Sequence, residues 1–128
     1  MIMLDASVLI TQFESTDVHH DRAGTLLLSA GDDSLAASPL TLAEVLVGPA
    51  RVGLLDRATA ALRQLEVTSV SLAQDAHLRL AALRAITNLK LPDCCVLLAA
   101  EQAHAAVATF DVRLAATARE LGFAVRDR

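Results

Sequence analysis

Short apolar runs alternate with longer segments of helical periodicity along the whole chain. Residues 2–4 (Ile-Met-Leu), 35–38, 67–70, 106–109 and 123–125 each read as a short strand without polar alternation. Between them, apolar side chains recur at helical spacing, as at Ala23, Leu26, Leu27 and Ala30. That spacing marks a helix that buries one face. Asp17 stands where it would cap this helix. Further helices are expected over residues 6–12, 41–47, 54–65, 71–86, 92–104 and 111–121. Gly48-Pro49 reads as a helix stop, Ser71 with Gln74 as a capping box and Gly122 as the close of the last helix. Strands of this kind, separated by helices, belong to a parallel sheet covered on both faces. The pattern predicts one α/β domain over residues 1–128. It is a three-layer α/β/α sandwich around a central, mostly parallel, short-stranded sheet, with no linker or repeat.

Composition narrows this picture. The chain has 128 residues, enough for a real core. It is 54% hydrophobic yet contains only three Phe and no Tyr or Trp, so the core must be built from Ala, Leu and Val. That much apolar surface excludes a disordered chain. The run from Cys94 to Ala100 stops at Glu101, far short of the ~20 residues a membrane span requires. The N-terminus has no basic region and carries Asp5 in its apolar stretch, unlike a signal peptide. Cys94 and Cys95 are neighbours, and adjacent helical residues point apart, so no disulfide is expected between them. A reduced, cytoplasmic setting fits best. The four histidines, His19, His20, His77 and His104, do not supply zinc-ligand spacing and read as surface or helix-face residues.

The acids change the picture most. Asp5 ends a fully apolar strand, where an unpaired buried charge would cost several kcal/mol. Glu44, Asp93 and Asp111 stand just past other apolar segments. In open parallel sheets, sites form at the carboxyl ends of the strands, so the four acids are expected at one edge. The chain carries 15 acidic and 11 basic residues, a net charge of −4. Without these four acids the balance is 11 to 11, so the net acidity equals the expected pocket. A carboxylate pocket suits a hard divalent cation such as Mg²⁺. Two such ions can clamp the attacking and leaving oxygens of a phosphodiester. Each acid also has a plainer reading: Asp93 and Asp111 as helix-start acids, Glu44 as a solvated helix residue, Asp5 as a cap. Ser7 and Thr109 are small hydroxyls able to orient a carboxylate or a metal water, or merely local turn and strand residues. Arg84 and Arg113 read as phosphate contacts or as solvated helix faces, the latter being commoner. Cys94 and Cys95 read as packing residues of a buried helix.

Four stretches then resemble the PIN-domain ribonucleases. They are Asp5-Ala6-Ser7-Val8-Leu9-Ile10, Thr41-Leu42-Ala43-Glu44-Val45-Leu46-Val47-Gly48, Leu91-Pro92-Asp93 and Ala108-Thr109-Phe110-Asp111-Val112-Arg113-Leu114 with Ala118 and Gly122. Length and order are similar to the VapC-type toxins of bacterial toxin–antitoxin pairs. The resemblance implies a Mg²⁺- or Mn²⁺-dependent endoribonuclease that hydrolyses RNA phosphodiesters. It carries the metal-binding, catalytic acids onto Asp5, Glu44, Asp93 and Asp111, with Asp5 and Asp93 as the most direct ligands. It also implies a cytoplasmic homodimer and a VapB-type antitoxin whose tail blocks the acidic groove. Cys94-Cys95 depart from the small residues usual after that third acid, which bears on helix packing and not on the acids. A haloacid-dehalogenase-like phosphatase fits poorly, because Ser7 stands where its second Asp is needed. A response-regulator receiver fits poorly too, because Asp5 has no acidic neighbour and Lys90 is the only lysine. A non-catalytic PIN-like module, whose acids bind a basic partner segment, remains the alternative.

Overall fold

The computed structural model describes residues 1–14 and 20–128. Asp17 and His19 lie outside the described residues. The elements follow in the order β1 (Ile2–Leu4), α1 (Ala6–Phe13), α2 (His20–Ser29), β2 (Leu35–Ala37), α3 (Pro39–Arg51), α4 (Leu55–Gln64), β3 (Val67–Ser69), α5 (Ala76–Ile86), α6 (Leu91–Ala103), β4 (Ala106–Ala108), α7 (Val112–Glu120) and β5 (Val125–Arg126). The five strands form one sheet in the order β3-β2-β1-β4-β5, and every pairing is parallel. The expected α/β sandwich is therefore present, with the sheet wholly parallel.

Strand alternation splits the apolar residues into two cores. Ile2, Leu4, Leu35 and Ala108 point to one face, where they meet Val8 and Leu9 of α1, Ala23 and Leu26 of α2, Val45 of α3 and Leu62 of α4. Met3, Ala36 and Val107 point to the other, against Leu97 and Ala100 of α6 and Leu114 and Ala118 of α7. β1 is buried on both faces, which explains why its sequence lacks polar alternation. Cys94 and Cys95 are free and buried within α6, as packing residues should be.

Three of the boundaries that differ from the sequence expectation have a clear physical reason. First, Gly48-Pro49 does not stop α3, which runs on to Arg51. The residue before a proline normally avoids the helical region because its Cβ crowds the ring. Gly48 has no Cβ, so the helix passes. Second, Ser71 and Gln74 do not cap α5, which begins at Ala76. Val70 instead donates its N–H to the Ala37 carbonyl 2.9 Å away, and Val70 and Leu72 both pack on the second core. Burial of those two side chains keeps the segment out of the helix. Third, β5 starts two residues later than expected. Gly122 (φ +91°) donates to Arg119 and Phe123 to Ala118, a Schellman closure of α7 that occupies residues 122 and 123.

The sheet order fixes where a site can form. The chain lays down β1, β2 and β3 in one direction, then returns to place β4 on the other side of β1. The strand order reverses between β1 and β4. At such a switch point the connecting loops part and leave a crevice at the carboxyl ends of the strands.

Candidate active site

Asp5 follows the last residue of β1 directly, and Thr109 follows the last residue of β4. Asp5 N–H donates to the Ala108 carbonyl (2.9 Å), which ties the two strand ends together. Asp5 is 7% exposed. It sits at the N-cap position of α1, yet its side chain makes no capping hydrogen bond. The cap reading of Asp5 is thereby removed. Its Oδ2 instead accepts from Ser7 Oγ (2.8 Å) and from Thr109 Oγ1 (2.6 Å). Ser7 Oγ accepts from Phe110 N–H (3.0 Å), and Thr109 Oγ1 from Asp111 N–H (2.9 Å). Each hydroxyl spends its proton on the carboxylate and its lone pair on the loop after β4. Both donors fall on one oxygen, and Oδ1 accepts no hydrogen bond among the described residues.

Asp111 lies at the entrance of α7. Its Oδ1 accepts from Arg113 N–H (2.9 Å) and Leu114 N–H (3.1 Å), so it is the N-cap of that helix. The plain reading of this acid holds, and its charge still acts on the crevice. Asp93 lies in the first turn of α6, behind Pro92. Glu44 lies on α3 and is exposed. Ser38 anchors the start of α3: its buried Oγ accepts from Thr41 N–H (3.2 Å) and bonds the Thr41 hydroxyl (3.0 Å). Ser38 and Thr41 thus fix the helix that carries Glu44. The sequence reading does not single them out, although Ser before Pro at the first helical position is a recognisable start signal.

The electrostatics unite the four acids. The Asp93 carboxyl is pushed up to about 6 from its ordinary 3.8, first by partial burial, then by the charges of Asp5, Asp111 and Glu44. Lys90, three residues earlier, opposes that rise. The Glu44 carboxyl is also raised, by desolvation and then by Asp5. Four carboxylates from four elements share one field, as their places in the sequence lead one to expect. They are not drawn into a ready-made cage: among the described residues no three His, Cys, Asp or Glu side chains gather tightly enough to hold an ion. The donor chemistry nevertheless fits a hard cation. The acids contribute carboxylate oxygen, the ligand that Mg²⁺ and Mn²⁺ take. Arg84 and Arg113 are exposed, as are His77 and His104.

Comparison with known proteins identifies the family and the fold. The PIN domain family model matches residues 2–120, and the chain belongs to that family. Its structure is similar to a chain of a toxin–antitoxin complex from Klebsiella pneumoniae, with 27% identity, a TM-score of 0.71 and 88% of each chain covered. It is also similar to VapC20 of Mycobacterium tuberculosis, a sarcin–ricin-loop-cleaving toxin. That likeness has 16% identity, a TM-score of 0.79 and coverage of 100% of this chain and 98% of the other. VapBC-1 from nontypeable Haemophilus influenzae shows the same fold at 17% identity, with a TM-score of 0.72 and coverage of 99% and 98%. No curated protein sequence matches the chain. No described helix is long and apolar enough to cross a membrane.

Proposed function

We propose that this PIN domain is a divalent-metal-dependent endoribonuclease and the toxin of a toxin–antitoxin pair. The observation that carries the reading is the shared field of Asp5, Glu44, Asp93 and Asp111 at the switch point, which adds to partial burial in pushing Asp93 up to about 6. Asp5 and Asp93 would hold the principal Mg²⁺ or Mn²⁺, with Glu44 and Asp111 completing the shell or holding a second ion. A bound cation supplies Lewis-acid polarisation of the phosphate and a lowered pKa for the attacking water. The protein's own part is positional. Ser7 and Thr109 fix the Asp5 carboxylate through Oδ2, and Oδ1, which accepts no hydrogen bond among the described residues, would be the ligand atom. Asp111 keeps its place because α7 begins on it. The acids repel an RNA backbone unless a cation is present, which makes substrate binding conditional on metal.

The likeness to a chain of a toxin–antitoxin complex supports a protein antitoxin as partner. The acidic edge would suit a basic segment of that partner. A homodimer and a cytoplasmic location belong to the same reading. Metal-dependent cleavage of labelled RNA by the full chain tests it, run beside a thermal melt with and without Mn²⁺. Cleavage and a Mn²⁺-dependent rise in melting temperature are expected, since a ligand at 100 times its Kd adds about 2.7 kcal/mol. Neither effect, with tight binding of a basic peptide, would assign the domain to the non-catalytic alternative.

A further inference from the structure

A cleft of about 240 Å³ opens beside the acids. Its walls include Arg22 of α2, Phe110 and Asp111 of the loop after β4, Ala115 and Arg119 of α7, and Asp127 just past β5. The Arg22 guanidinium lies over the Phe110 ring, 4.6 Å from its centroid. Arg119 donates from both terminal nitrogens to the two carboxylate oxygens of Asp127, each at 3.0 Å. Arg22 donates to the Asp127 backbone carbonyl at 2.8 Å. One residue thus gathers two guanidinium groups beside an aromatic ring.

Each part has a counterpart in nucleic-acid chemistry. The planar fork that Arg119 offers a carboxylate matches a phosphate equally well. Aromatic rings and guanidinium planes are the surfaces on which unstacked bases lie. The cleft is smaller than the ~300 Å³ at which drug-sized pockets begin, which suits one ring system. Asp111 lines the cleft and also acts on Asp93, so the cleft adjoins the acids at that one residue.

We infer that the cleft is a single-nucleotide subsite for the RNA strand, in which a base stacks on the Arg22–Phe110 pair and a phosphate displaces the Asp127 carboxylate from Arg119. This rests on the nuclease reading above. The fork holds the Asp127 carboxyl below its ordinary value, so an anion occupies that place before RNA arrives. A paired base cannot enter such a cleft, so the subsite selects single-stranded RNA.

The test is fluorescence anisotropy of a short fluorescein-labelled single-stranded RNA in Mg²⁺, using the full chain with Asp93→Asn to suppress cleavage, since the amide oxygen still offers the ion a ligand and the lost charge lessens the repulsion of RNA. Phe110→Leu should weaken binding about 5- to 150-fold, the range of one lost base–aromatic stack, and Phe110→Tyr should preserve it. Arg119→Gln should weaken binding and reduce the slope of log K against log salt by about 0.7, one single-strand phosphate contact. Asp127→Asn should tighten binding, because the competing charge is gone, whereas a merely structural ion pair predicts no gain. Parent-like affinity and salt slope in both Phe110→Leu and Arg119→Gln, or equal affinity for duplex RNA, overturns the subsite. If the Asp93 parent still cleaves RNA with metal, the nuclease reading survives that result. If the Asp93 parent neither cleaves nor binds RNA, both fall. Should Phe110→Leu fail to fold, Arg119→Gln at its exposed position still decides.

Discussion

The carboxylates at the crevice and those on the outer surface meet opposite surroundings. Glu101 pairs with Arg79, Asp127 with Arg119 at 3.0 Å, and Asp33 with Arg126 at 3.3 Å. The Asp127 carboxyl is lowered by its arginine. Asp93 and Glu44 are raised, Asp5 is held by two hydroxyls and Asp111 by two backbone N–H groups, and no ion pair among the described residues includes any of the four. The chain has 11 basic residues available. Among the described residues Arg79, Arg119 and Arg126 pair with surface acids, none of these pairs with a crevice acid, and Lys90 alone among the cations opposes the rise at Asp93. A cluster of like charges gathered at one sheet edge without a cation partner lowers stability locally, and such breaches of local rules concentrate at functional sites.

The strongest way to break this contrast is Asp5→Asn. The amide keeps an oxygen for the Ser7 and Thr109 hydroxyls, and α1 loses no capping bond because Asp5 provides none. The fold should therefore persist by circular dichroism. Metal-dependent RNA cleavage should fall by about 10³-fold or more, given several kcal/mol of charge stabilisation at tenfold per 1.36 kcal/mol. Retained cleavage would remove Asp5 from the site.

Thr109→Val comes next. It deletes one of the two bonds to Asp5 Oδ2 and strands the Asp111 N–H, which donates to Thr109 Oγ1. Loss of an outer partner of a metal ligand typically costs 10–100-fold in metal affinity or activity. The unsatisfied groups should also cost about 1–3 kcal/mol of stability. A Mn²⁺ titration followed by melting separates the two effects. Ser7→Ala should behave alike, since Ser7 Oγ bridges Asp5 and Phe110 N–H.

These residues also show what a sequence discloses. Asp5, Asp93 and Asp111 were legible because strand and helix starts can be read from apolar runs, and a parallel sheet sends its strand ends to one edge. Ser7 and Thr109 were legible only as neighbours of acids. That Thr109 reaches across 104 residues to the same oxygen as Ser7 is a product of the β1–β4 pairing. The Arg22–Asp127 contact spans 105 residues and left no local signal at all. The errors at Gly48-Pro49 and Ser71 have a common cause. Cap and stop signals describe isolated helices, and burial of Val70 and Leu72, or a missing Cβ at Gly48, overrides them.

Asp93→Asn sharpens the contrast in stability rather than activity. The parent carboxyl titrates at about 6 in the fold against an ordinary 3.8, so the fold favours its protonated form. That contribution is fully present below pH 3.8 and is lost as pH rises through 6. The difference is worth at most ~3 kcal/mol, and solvent screening at this part-buried position reduces it to about 1–2 kcal/mol. In chelator at pH 8, Asp93→Asn should therefore melt above the parent by about 3–8 °C. The gap should close at pH 4 and again with saturating Mg²⁺. A parent that melts as high as the variant in chelator would show that the crevice is not strained.

The smallest effect belongs to the other side of the comparison. Asp33→Asn removes a surface acid that meets Arg126 at 3.3 Å and the N-terminal amine at 3.9 Å. Its side chain is 46% exposed, and exposed pairs of this kind contribute little. Stability should move by no more than about 0.5 kcal/mol in either direction. That change should be the same with chelator and with Mg²⁺, since Asp33 lies outside the crevice field that raises Asp93. A metal-dependent response at Asp33 would mean that bound cation acts on the whole acidic surface. The distinction between crevice and surface carboxylates would then rest on proximity alone and not on separate surroundings.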